Sequence, residues 1–187
     1  FWLGAGLALL IVLAVFALIV YVLNRDISFL YYAVFSIFFF IYYSSATGYP
    51  IEFLWPDYPA ISQDLSMFSL GISLAGVCLF ASDFLHLREK VRWLYKAALV
   101  LSGVFVTSSL AGLFITHYQQ VYLQLAVFVL CASFLLTSGV YVSVKKYRDA
   151  GRFVVCFSLI TVSCALFAGN RFGVIPRNLL TEYSLLV

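Results

Sequence analysis

Six stretches of this chain stay apolar for about 20 residues each, and that pattern leaves few folds open. They run from Phe1 to Leu23, Phe29 to Thr47, Leu65 to Leu85, Leu94 to Phe114, Val121 to Val144 and Phe153 to Phe172. Thr181 to Val187 reads as the opening of a seventh. Inside a bilayer every backbone N–H and C=O must find its partner within the protein, and a helix does this within one segment. Composition points the same way. Only 10% of the residues are charged and 64% are hydrophobic, against about 25% charged in a soluble domain, so a water-facing surface could not be covered. The expectation is an all-α, polytopic transmembrane helical bundle of six spans plus the start of a seventh. The breaks between spans are short, which favours antiparallel neighbours. The first run is longer than the ~7–15-residue core of a signal peptide. Starting at Phe1 and stopping at Val187, the chain reads as one domain over residues 1–187, an excerpt truncated within helix 7.

Basic residues orient the bundle. Arg25 follows the first span, Arg88, Lys90, Arg92 and Lys96 follow the third, and Lys145, Lys146, Arg148 and Arg152 follow the fifth. The breaks after spans 2 and 4 hold no Lys or Arg, and the break after span 6 holds Arg171 and Arg177. Short loops rich in Lys and Arg stay cytoplasmic, so the first side is inside and the N-terminus outside. The stretch from Gly48 to Asp64 then falls outside. It carries Pro50, Pro56 and Pro59 with Glu52, Asp57 and Asp64 and no basic residue, and it reads as a structured loop between two helices. The net charge of +3 does not point to nucleic acid. Its cations are split between tight turns at the membrane face, where the lipid bilayer and its anionic headgroups are the partner.

Small residues mark where helices can approach closely. Ser66, Ser69, Ser73 and Gly76 in span 3 are spaced by three, four and three, and Ser158, Thr161, Ala165 and Ala168 repeat that spacing in span 6. Each set forms one stripe for helix packing. Cys78, Cys131, Cys156 and Cys164 lie in apolar runs without ligand spacing and read as small packing residues. Tyr42, Tyr43, Trp93 and Tyr95 fall near span ends, as membrane-interface anchors do.

Ionisable groups within the spans are few. Asp83 falls at the inner end of span 3, where Arg88, Lys90 or His86 can meet it, and Glu182 enters the seventh span from outside. His86 and His117 belong to opposite membrane faces and cannot share a metal. No zinc-protease, nucleophile-elbow or phosphate-loop signature is present, and the expectation is a non-enzymatic domain without cofactor or metal.

Four segments in order carry a resemblance. They are Asn24-Arg25-Asp26 with Phe29-Leu30-Tyr31-Tyr32; Gly48 with Leu54-Trp55-Pro56-Asp57; Phe80 to Arg88; and Gly173 to Asn178 running into Leu180-Thr181-Glu182-Tyr183. Together they resemble the membrane domain of the bacterial seven-transmembrane receptors with diverse intracellular signalling modules. The sequence departs from that pattern at Phe16-Ala17, where the family often has Tyr-Asn, and it stops short of a full helix 7. The resemblance implies a sensor in the bacterial inner membrane, with a periplasmic ligand-binding domain upstream. Downstream it implies a cytoplasmic signalling domain such as a histidine kinase or diguanylate cyclase, and a homodimer is compatible with it. Tyr49, Glu52, Trp55 and Asp57 of the outer loop, with Glu182, are the candidate input contacts. A small-solute transporter or channel subunit, and a plain membrane anchor, are the alternatives. Reporter fusions test the orientation: a fusion at Trp55 is expected to be active outside the cytoplasm and one at Arg148 inside, and the reverse would overturn the assignment.

Overall fold

The computed structural model describes residues 2–46, 59–115 and 117–144, together with 155, 157 and 158. Its helices are α1 (Trp2–Asn24), α2 (Ile27–Ala46), α3 (Pro59–Phe84), the single turn α4 (Leu87–Lys90), α5 (Arg92–Gly112) and α6 (His117–Val144). Among the described residues there is no strand, as an all-α bundle requires. Among the described residues five segments are long and apolar enough to cross a membrane: Gly6–Asn24, Ile27–Ser45, Asp64–Phe84, Arg92–Gly112 and Leu125–Val144. These are the first five spans read from the sequence. The sixth, apart from residues 155, 157 and 158, and the opening of the seventh lie outside the described residues. The chain divides into two units, Leu7–Cys131 and Phe1–Gly6 with Ala132–Val187. In the second, Thr137 and Ser138 donate to the carbonyls of Ser133 and Leu135 within their own helix. The packing below is that of the first unit.

One boundary differs from expectation. α3 begins at Pro59 rather than Leu65, so Pro59 to Asp64 belong to the helix and not to the loop. Proline breaks a helix entered from its N-terminal side, but at a first helical position it needs no N–H and its φ is already helical. Pro59 starts α3. Residues 47–58 of the expected loop lie outside the described residues.

α3 is the central element, with 67% of its span buried against 17% for α2 and 28% for α5. It reaches α2 through the stripe of small residues. Ser69 and Ser73 are fully buried, and Ser73 Oγ donates to the carbonyl of Phe35 at 3.4 Å. A Cβ on Gly76 would sit 3.1 Å from the Phe35 nitrogen, so the two backbones nearly touch. Further along, the Tyr32 and Phe80 rings pack with centroids 5.4 Å apart. Rising numbers on α2 pair with falling numbers on α3, so the helices are antiparallel. The Phe-rich centre of α2 supplies a ladder along this seam, with Phe35 stacked on Phe39 at 5.6 Å and Phe39 against Tyr43 at 6.4 Å.

A second face of α3 packs on α5. A Cβ on Gly71 would lie 2.4 Å from Ser109 Cβ and 2.6 Å from the Phe105 carbonyl, and Ser109 Oγ donates to the Phe68 carbonyl at 2.9 Å. Gly71 and Gly76 are five residues apart, which at 3.6 residues per turn puts them about 140° apart around the helix. α3 therefore carries two small-residue contacts on nearly opposite sides, and the sequence reading had found one. In a membrane, lipid tails solvate apolar side chains as well as protein does, so close van der Waals contact and interhelical hydrogen bonds decide which helices stay together. Several hydroxyls bond back to their own helix, as in Ser82 to the Leu79 carbonyl and Ser102 to the Leu99 carbonyl at 2.8 Å each, and these carry little desolvation cost. At the far end of α5, buried Gln120 of α6 donates Nε2–H to the Gly112 carbonyl at 2.8 Å, satisfying an orphan carbonyl of the last turn.

Gly71→Ala should lower the stability of the domain in detergent micelles by about 1–3 kcal/mol, because its new methyl meets α5 backbone that cannot move aside. Gly103, with open space where its Cβ would be, is the control. Gly103→Ala should be neutral or stabilising by up to about 1 kcal/mol, read from the same thermal unfolding curves.

Candidate functional site

The turn after α1 and the end of α3 meet at one end of the bundle. α1 stops because Arg25 adopts the left-handed conformation, φ 56°, and its N–H bonds back to the Tyr21 carbonyl at 2.8 Å. Asp26 then caps α2: its Oδ1 accepts the backbone N–H of Ser28 at 3.0 Å and the Ser28 hydroxyl lies 2.8 Å away. This is the ordinary N-cap geometry, in which a short carboxylate satisfies a donor that the first turn leaves orphaned. Two residues thus separate α1 from α2.

The end of α3 repeats the device. His86 is left-handed at φ 52° and donates its N–H to the Asp83 carbonyl at 2.8 Å, while its own carbonyl accepts the N–H of Lys90 at 3.0 Å. Its Nδ1 sits 3.1 Å from the Phe84 carbonyl. One residue both closes α3 and opens α4. A non-glycine residue in this conformation costs roughly 1–2 kcal/mol, so its surroundings must impose it. Leu85, Leu87 and Val91 around it are buried, which pins the turn from both sides.

Ser28 joins the two turns. Its hydroxyl lies 2.5 Å from Asp83 Oδ2, 55 positions away in sequence, and 2.8 Å from Asp26 Oδ1, so it stands between two carboxylates and its one proton serves either. Tyr31 of α2 lies within electrostatic reach of Asp83 and of Tyr95 on α5. Sequence alone offered Arg88, Lys90 or His86 as company for Asp83, and the structure gives it Ser28. Helix α2 is thereby fastened to α3 where both meet the membrane boundary. The arrangement is a polar joint between two helix ends, made of groups that can exchange partners without breaking a covalent bond.

The described basic residues lie at this end of the bundle. Arg25 sits in the first turn, Arg88 and Lys90 on α4, Arg92 and Lys96 at the start of α5, and Arg25, Arg88, Arg92 and Lys96 are exposed. Antiparallel packing of α2, α3 and α5 brings them to one end. Lys145, Lys146, Arg148 and Arg152 lie outside the described residues. So do Tyr49, Glu52, Trp55, Asp57 and Glu182, and Thr161, Ala165 and Ala168 of the sixth-span stripe. Of the small residues described, Ser69, Ser73 and Gly76 are buried in α3, whereas Ser66 and Ser158 are half-buried. A cavity of about 10 Å³, lined by Met67, Leu70, Gly71, Ser109 and Val127 among others, has room for one water at most.

Sequence reasoning missed Ser28, Gln120 and the Gly71–Ser109 contact. Asp26 two residues before Ser28 at a helix start was a legible cap signal, but the partner Asp83 was not. Double-mutant analysis tests the joint. Ser28→Ala and Asp83→Asn should each destabilise the domain, and together by less than the sum, with a coupling of about 1 kcal/mol in unfolding measurements. Additive effects would mean the bond contributes nothing.

A family model described as 7TM diverse intracellular signalling matches residues 1–187, the whole chain. No curated protein and no solved structure matches it.

Proposed function

The chain belongs to the 7TM diverse intracellular signalling family, an integral membrane receptor family, and from that premise we propose that it relays an extracytoplasmic input to a cytoplasmic output module. The output is of the histidine kinase or diguanylate cyclase class, and the domain itself performs no catalysis. The basic end, with Arg25, Arg88, Lys90, Arg92 and Lys96, faces the cytoplasm of a bacterial inner membrane. The input reaches the bundle at the outer loop, through Tyr49, Glu52, Trp55, Asp57 and Glu182.

Relay works by a two-state repacking of helices. α3 contacts α2 through Ser73 and Gly76 and α5 through Gly71, so a shift of α3 is felt on both sides. Interfaces this close tolerate alternative registers better than graded deformation. The observation that carries the reading is the Ser28–Asp83 joint, which ties the inner ends of α2 and α3 by one exchangeable hydrogen bond. An input that binds one packing state more tightly by a few kcal/mol is sufficient to shift the population.

Output activity of the full-length protein tests this. Trp55→Ala and Glu182→Gln should change the response to input, and Ser28→Ala should change the basal output, each without loss of the protein from the membrane. Unchanged output in all three would leave only an anchor. Solute flux through liposomes bearing the domain would favour a transporter instead.

A further inference from the structure

We propose that Cys78 and Cys131 form an oxidisable dithiol within the bundle, a modification site that a membrane-soluble two-electron oxidant of the quinone class converts to a disulfide. Both residues are buried, at 0% and 2% exposure, and their sulfur atoms lie 3.6 Å apart, in direct contact between α3 and α6. Small packing residues need only fit their own surroundings; these two fit each other. A disulfide needs about 2.05 Å between the sulfurs, so the gap to close is about 1.5 Å, within reach of side-chain rotation and a small helix shift.

Position selects the reagent. Cys78 is five residues from Asp83, about 8 Å along α3 from the joint at the bundle's end, at hydrocarbon depth. Water-borne ionic oxidants and thiols are excluded there, whereas a quinone dissolves in that layer. In the reaction both S–H bonds break and one S–S bond forms. The two electrons and two protons pass to the quinone, which leaves as quinol. The product links positions 53 residues apart and ties central helix α3 to α6 covalently. Buried from aqueous reductants, the bond persists until the bundle opens. Oxidation thus converts a packing contact into a lock, and this chemistry does not depend on the receptor reading.

The test uses the full-length protein in native membrane vesicles treated with a short-chain benzoquinone, then quenched, alkylated, digested and examined by tandem mass spectrometry. The expected result is loss of two alkylatable thiols and a reductant-sensitive peptide pair joining Cys78 to Cys131, lighter by two hydrogens, about 2 Da. In Cys131→Ser, Cys78 should remain alkylatable under the same treatment. Both thiols staying reduced in the wild-type protein would overturn the proposal. Linkage of Cys78 to Cys156 or Cys164, or a quinone adduct on either sulfur without an S–S bond, would overturn it as well.

Discussion

Backbone hydrogen bonding in a medium without water governs this molecule. Each peptide group inside the hydrocarbon must be satisfied by the chain itself, which makes helices obligatory and confines reversals to the boundaries. The reversals here are correspondingly economical. Arg25 and His86 end their helices by adopting φ values that few side chains accept, and Asp26 satisfies a donor that would otherwise be left at the start of α2. The turn at His86 leaves α3 and α5 as close antiparallel neighbours. The reversals also gather the charged residues at the ends.

Within the layer, apolar side chains gain little from leaving lipid for protein, so specificity falls to geometry. α3 solves this with absences of side chain: Gly76 lets Phe35 approach on one side, and Gly71 lets Ser109 approach on the other. Buried serines add directional bonds to neighbouring carbonyls, as from Ser73 to Phe35 and Ser109 to Phe68. A helix held on two faces by backbone-level contacts moves as a unit or not at all. The polar joint Ser28–Asp83 lies instead at the helix ends, where charged groups need not enter the apolar layer.

Much of this is legible in the amino-acid sequence. Apolar run length gave the five described spans, because a bilayer has one thickness. Small-residue spacing gave the α2-facing stripe of α3, because a period of three and four residues puts Ser69, Ser73 and Gly76 on one face. Pro59 reads as loop in the sequence because a proline carries the same letter whether it stops one helix or begins the next, and the structure shows it beginning α3.

The sequence by itself determined the all-helical class, the number of residues available to each span and the clustering of cations at alternate breaks, since these follow from local composition and the dimensions of the membrane. Tertiary structure decided who meets whom. Nothing in the neighbourhood of Asp83 names Ser28, nothing near Gly71 names Ser109, and nothing near Cys78 names Cys131, because each pairing depends on the relative rotation and register of two helices. Those are set by the summed fit of whole interfaces, to which no single residue holds the key.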